Sequence, residues 1–141
     1  MSVLNDAYDD HLRNANLAVV QRYCAAWLAG DRQALAGCYH DDFTLHYGGA
    51  NPFSGIHAGK PAALKVLAEV SRRTNRKLLA IVDCLAGPNR AVVIAREAFE
   101  RGALRAELER TLVYTIRDDR LDTCWVFDVD QALVDRFLAD G

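Results

Sequence analysis

The sequence predicts an α+β domain in which a curved antiparallel sheet wraps around N-terminal helices, leaving a cone-shaped barrel. Three observations carry this. Apolar residues recur at helical spacing in the first thirty positions, where Leu17, Val20, Tyr23, Cys24 and Trp27 are three or four residues apart. The second half holds four strand-like runs, "RKLLAIVDCLA", "RAVVIAREAFE", "LRAELERTLVYTIR" and "RLDTCWVFDV", joined by the short connections "GPN", "RG" and "DD". Connections that short make an antiparallel meander. A closing amphipathic segment, "DQALVDRFLAD", adds a last helix.

In chain order, the first helix is expected from about Asp10 to Ala29 and is stopped by Gly30. Asp31 then caps a short second helix ending near Tyr39, since an aspartate accepts from the free amides of a first turn. "DDFTLHY", Asp41 to Tyr47, alternates as a strand, and "GGANPFSG" after it has the composition of a loop. A third helix runs from about Lys60 to Arg73, opened by Gly59, with Pro61 in its first turn where a missing amide hydrogen costs nothing. After the meander, Asp130 caps the final helix. The 141 residues suit one domain, residues 1–141, with one sizeable core and one site. Helices covered by a curled sheet leave a cone whose open end need not be filled, so a cavity is expected there.

Composition narrows the function. Apolar residues make up 51% of the chain, charged residues 26%, and the formal charge is -2. This is the balance of a soluble globular protein and gives no expectation of a nucleic-acid partner. The densest basic cluster, Arg72, Arg73, Arg76 and Lys77, falls where the third helix should end, and cations favour that end of the helix dipole. No apolar run approaches the roughly 20 residues that span a bilayer, so no membrane partner is expected. Cys24, Cys38, Cys84 and Cys124 make no CxxC pair, and "MSVLNDAYDDHLRN" has no signal-peptide pattern. A reducing cytoplasm is the expected location. His11, His40, His46 and His57 lack a ligand spacing, so no metal site and no cofactor are expected.

Tyr23 and Trp27 sit four residues apart on the covered face of the first helix, each with an apolar body and one polar tip, and would point into the cavity. At this point "VVQRYCAAWLAGD", "HYGGANPFSGIHAG" and "WVFDVDQALVDRF", together with the order of elements, resemble a known superfamily. It is the cystatin-like, nuclear transport factor 2-like superfamily of cone-shaped α+β barrels, which includes scytalone dehydratase, limonene epoxide hydrolase, ketosteroid isomerase and the SnoaL-like polyketide cyclases. The resemblance spans about Asn14 to Phe137 and implies the fold; because this fold hosts enzymes and plain binding modules alike, it does not imply one activity. In the isomerases the tyrosine of "VVQRY" donates a hydrogen bond to the substrate oxygen, which implies that role for Tyr23. The pocket position one turn later is Trp27, whose bulk implies a smaller or flatter ligand. The isomerases' basic aspartate matches Tyr47, or His46 if the strand slips by one, and their second acid matches Leu112; neither acid is present, so steroid isomerisation itself is not expected.

Further candidates follow from strand alternation. His46 could serve as a base near the cavity mouth, but if Phe43, Leu45 and Tyr47 face the core it points away and is a satisfied polar residue. On the last strand the face of Cys124, Val126 and Asp128 matches the pocket-lining pattern of the isomerases, which makes Asp128 either an acid at the rim or a cap of the last helix. Arg110 shares a face with Leu112 and Tyr114, where it could pair with Asp128 or hold a substrate carboxylate; alternatively it forms a cross-strand pair on the outer face. Arg96, Glu97 and Glu109 are expected on that outer face, Arg96 pairing with Glu109. Trp125 and Phe127 lie on the face opposite the pocket, and in this superfamily that face packs on a second subunit, which implies a homodimer.

Two function classes follow. One is a cofactor-independent isomerase, cyclase, dehydratase or hydrolase acting on a small apolar molecule, with Tyr23, Asp128 and His46 as catalytic groups. In it Trp27, Tyr47, Arg110, Leu112, Cys124 and Val126 contact the ligand. The other is a non-catalytic ligand-binding or dimeric scaffold module of the same fold.

Overall fold

The computed structural model describes residues 3–140, with side chains from residue 6 onward. Its elements are α1 (Val3–Ala29), α2 (Arg32–Gly37), β1 (Tyr39–Tyr47), β2 (Gly55–Ala58), α3 (Lys60–Thr74), β3 (Lys77–Ala86), β4 (Ala91–Arg101), β5 (Leu104–Arg117), β6 (Arg120–Asp128) and α4 (Gln131–Leu138). The six strands form one curved, unclosed sheet in the order β2-β1-β6-β5-β4-β3. Within it β3 to β6 make the expected antiparallel meander, while β1 runs parallel to β6 and pairs antiparallel with β2. Helices α1 and α3 fill the concave side, α1 against β3 and β4, α3 against β1.

Local chemistry sets the boundaries. α1 begins at Val3 rather than near Asp10, since neither glycine nor proline interrupts residues 3–29. It ends at Gly30, which takes φ +66° and donates its amide to the Trp27 carbonyl at 3.1 Å. Asp31 caps α2 by accepting from the Ala34 amide at 3.0 Å. α2 stops at Gly37 instead of near Tyr39, because the Cys38 carbonyl accepts from Leu121 at 2.8 Å and Tyr39 pairs with Leu121, so the sheet claims these residues. The hairpin turn between β5 and β6 places Asp118 and Asp119 at φ 53° and 57°, the left-handed pair that matches strand twist.

The stretch read as loop contains a surprise at its end. Strand β2 starts at Gly55, short, exposed and without alternation, which is why the sequence pattern does not reveal it. The turn before it is pinned by α4: Asp135 accepts from the Ala50 amide at 3.1 Å and from the Asn51 side chain at 2.8 Å. These bonds hold the Asp135 carboxyl below the ordinary range, with burial acting in the opposite sense.

The core lies between the concave sheet face and the helices. Phe43, Leu45 and Tyr47 of β1 are buried on alternate positions, as are Ala91, Val93, Ala95, Glu97 and Phe99 of β4. α4 packs against α3, β4 and β6, burying Val134, Phe137 and Leu138, and Phe137 meets Phe99 edge to face at 5.5 Å. Arg101 and Arg73 cover its last carbonyls, donating to Phe137, Ala139 and Leu138. At its other end the Asp130 carboxylate accepts from the Leu133 amide at 3.1 Å. Replacing that cap by Asp130→Ala should destabilise the fold by about 1 kcal/mol, read as a lower urea midpoint at unchanged slope.

Candidate functional site

The concave face encloses a cavity of about 490 Å³, within the range of small-molecule sites. Its walls come from α1 and α2, from α3, and from the inward positions of β1, β4, β5 and β6. Apolar side chains such as Leu35, Leu64, Leu67, Leu112 and Val126 dominate, and the polar groups gather into two sets.

The first set is a group of phenols. Tyr23 on α1 meets Tyr39 at 5.8 Å and Tyr114 at 5.5 Å, both edge on, and the Trp27 ring at 5.7 Å. The Tyr39 hydroxyl donates to the Tyr23 oxygen at 3.4 Å, a long bond that leaves the Tyr23 proton to be donated onward. Burial pushes the Tyr23 phenol up to about 12, only partly offset by the neighbouring Tyr114 and Tyr39 hydroxyls. Tyr39 and Tyr114 are raised further by burial and by the adjacent Tyr23. Cys124 beside them is raised to about 12, again by burial, so it is a thiol and not a nucleophile at neutral pH.

The second set is built around Arg110, whose side chain is 1% exposed. In register, Arg110 of β5 stands between Ala95 of β4 and Asp128 of β6, and the small Ala95 leaves room for it. Its Nε donates to Asp128 Oδ1 at 2.6 Å and its Nη2 to Oδ2 at 3.2 Å, a two-point grip on the carboxylate. Nη2 also donates to the Tyr47 hydroxyl at 2.7 Å, and Nη1 to Glu97 Oε2 at 3.4 Å. Burial acts to lower the guanidinium, but Tyr47, Glu97 and Asp128 outweigh it and hold Arg110 well above its ordinary value, a permanent cation. The other Glu97 oxygen, Oε1, lies 3.4 Å from Arg76 Nε, yet off the hydrogen-bonding direction, so it is buried with a coulombic partner and no hydrogen bond.

The sequence-derived candidates divide accordingly. Tyr23, Trp27, Tyr47, Arg110, Leu112, Cys124 and Val126 line the cavity. Asp128 does not; it is buried behind Arg110, and the cap of α4 is Asp130. His46 is turned to the outer face, as the alternation of Phe43, Leu45 and Tyr47 requires, and stacks on Trp125 at 4.9 Å. The expectation for Glu97 is corrected: it shares the inward face with Ala95 and Phe99 and reaches the cavity. Arg96 does face outward and is aligned with Glu109, but its ion-pair partner is Glu107, at 3.6 Å. Reading the helix-end cluster as dipole pairing fits Arg72 and Arg73 in the last turn of α3, but misses Arg76, which lies past the helix and lines the cavity. Tyr114, expected on the face of Arg110 and Leu112, lines the cavity too, and so does Tyr39, which belongs to β1 rather than to the expected end of the second helix. Among the described residues no group of His, Cys, Asp and Glu side chains is arranged to hold a metal ion, and no helix is long and apolar enough to cross a membrane.

A cone of sheet over helices, with an enclosed apolar cavity and a few converging polar groups, defines the cystatin-like, nuclear transport factor 2-like class of α+β fold. Residues 20–124 match the family model of the SnoaL-like domain, and the chain belongs to that family. No curated protein sequence matches it significantly. Among solved structures it is similar to Bal32a from a soil-derived mobile gene cassette, with TM-score 0.81 and 22% identity over 90% of this chain and 98% of that one. It is also similar to a cystatin-like protein from Xanthomonas campestris, with TM-score 0.81 and 19% identity over 89% and 98%. A protein from Jannaschia sp. CCS1 described as a SnoaL-like polyketide cyclase gives TM-score 0.70 and 15% identity over 92% and 96%.

Two outcomes follow from the geometry. Asp128→Ala leaves the Arg110 cation buried with only Glu97 and Tyr47, and should cost about 3 to 5 kcal/mol in urea unfolding. The phenol of Tyr23 ionises more easily in the unfolded chain, near 10, than in the fold, near 12. Its contribution is therefore constant below pH 10 and is lost as pH rises towards 12, because the unfolded state releases its proton first. The contribution of Tyr23 to that alkaline loss should disappear in Tyr23→Phe, with the tyrosinate absorbance of the folded wild type appearing late in the titration.

Proposed function

We propose that this protein binds a small, largely apolar molecule bearing a carbonyl or hydroxyl group and moves a proton on it without a cofactor, as an isomerase, cyclase, dehydratase or hydrolase. The observation that carries this reading is the presence, in the wall of one apolar cavity, of a neutral phenol and a carboxylate with one oxygen that has no hydrogen bond of its own. Tyr23, protonated at neutral pH, donates to the ligand oxygen and stabilises the negative charge that develops there. Glu97 Oε1 accepts the proton lost from the neighbouring carbon and returns it at a new position, so no net charge is left behind. Asp128 serves by holding Arg110, which in turn holds Glu97 and Tyr47. The SnoaL-like family and the fold shared with a described polyketide cyclase support this class of chemistry.

The non-catalytic reading draws on a specific feature: both carboxylates of the site are already paired with arginines, Asp128 with Arg110 and Glu97 with Arg110 and Arg76, as in a purely structural ion cluster. Proton exchange separates the two. Naphthyl methyl ketone incubated with the protein in heavy water should incorporate deuterium into its methyl group, followed by proton NMR. Glu97→Gln and Tyr23→Phe should each slow that exchange by about a hundredfold or more. Binding of the ketone, seen as quenching of Trp27, without accelerated exchange would leave a carrier rather than an enzyme.

The assembly proposed is a homodimer through the outer sheet face. Phe127 is 56% exposed there, next to Trp125, with Val113 and Thr111 in register beside them. Phe127→Glu should convert a dimer to a monomer in light scattering, with the far-ultraviolet circular dichroism unchanged.

A further inference from the structure

The donors of the cavity are not all used by the protein. Arg110 is committed to Asp128, Tyr47 and Glu97 through Nε, Nη1 and Nη2. The Arg76 side chain, also in the wall, makes no hydrogen bond among the described residues; its one charged neighbour within 4 Å is Glu97 Oε1, and that contact is off axis. Its side chain is 17% exposed, so most of the guanidinium is withdrawn from water while its bonding fork remains open. A guanidinium so placed gains most from a planar anion that accepts two parallel bonds.

Accessibility singles out the same residue. Arg32 on α2 is exposed to solvent, so of the arginines in the wall only Arg76 and Arg110 are withdrawn from it, facing Glu97 and Asp128. Arg110 grips Asp128 at two points and also bonds Glu97, which leaves Arg76 as the wall cation with the least of that pairing. Around it the wall is apolar, with Leu64 and Leu67 on α3 one turn and more before the loop that carries Arg76.

We propose that Arg76 is the acid-recognition residue of this cavity, so that the preferred ligand is a monoacid with a flat apolar body: the body fills the hollow and its one carboxylate lies on the Arg76 fork. The inference rests on the reading of the cavity as a small-molecule site and deepens it by naming the ligand class.

Naphthoate and naphthyl methyl ketone have nearly the same shape and differ in charge, so they serve as matched probes, with affinities measured by calorimetry and Trp27 quenching. Naphthoate should bind the wild type at least tenfold more tightly at low salt, and added sodium chloride should narrow that gap while leaving the ketone unaffected. Arg76→Gln should remove the preference and keep ketone binding, which also reports that the variant is folded. Arg76→Lys should retain part of it, because the charge remains but the fork is lost. Equal affinity for the two probes in the wild type, or a preference that survives Arg76→Gln, overturns the inference and leaves the cavity reading standing. Should neither probe bind, the cavity reading itself fails and takes this inference with it. Were Arg76→Gln unable to fold, the salt dependence in the wild type and the Arg76→Lys affinity decide the matter, and a salt-independent preference counts against it.

Discussion

The structure is organised around a buried arginine. Arg110 stands in the middle of the concave sheet face and reaches three strands besides its own: β6 through Asp128, β4 through Glu97 and β1 through Tyr47. Burying a guanidinium costs several kcal/mol, and only near-complete pairing repays it, so each partner is constrained in position as well as in charge. The register follows from the same demand. A slip of one residue in β5 would turn Arg110 to the solvent face and bring Glu109 or Thr111 into the core, leaving Asp128 and Glu97 buried without their cation.

That constraint shapes the cavity. Because Arg110 draws Asp128 behind it, the carboxylate of the cavity wall is Glu97, hydrogen-bonded on one oxygen and, on the other, buried beside Arg76 without a hydrogen bond. In the same wall the phenols of Tyr23, Tyr39 and Tyr114 pack through their rings, which adds a second polar set to an otherwise apolar lining. The result is a low-dielectric site with a donor and an acceptor in its wall, held by strands and a long helix rather than by loops. Rigid support of this kind is what positions proton-transfer groups without reorganisation during a reaction.

The irregular segments serve the same end. The turn before β2 is tied to α4 by Asp135, and α4 is in turn anchored by Arg73 and Arg101 at its last carbonyls. Arg73 also lies over the Phe53 ring at 4.9 Å, joining the end of α3 to that turn. The C-terminal helix thus braces the end of β1 that carries Tyr47, one of the partners of Arg110.

Much of this was legible in the residues alone. Helical spacing in α1, the cap residues Asp31 and Asp130, and the two-residue hairpin turns are local signals, and each fixes an element without reference to the rest of the chain. Alternation along β5 likewise placed Arg110, Leu112 and Tyr114 on one face, and along β1 it set Tyr47 and His46 on opposite faces, leaving the fold to decide that Tyr47 is the inward one. β2 escaped because an exposed four-residue edge strand has no pattern of its own; it exists only because β1 offers an unpaired edge.

What the sequence by itself determined is therefore the succession of the helices, β1 and the four meander strands, and which residues of β1, β5 and β6 share a face; which face of β1 looks inward, and the edge strand β2, came only with the fold. Which charges meet was decided by the tertiary structure, since Arg110, Asp128, Glu97 and Arg76 come from three strands and a loop. Alternation tells a side chain which way to point but not how far along the neighbouring strand its partner lies. Register sets that distance, and register depends on every bulge and turn of the meander together with the cost of leaving any one of these charges alone.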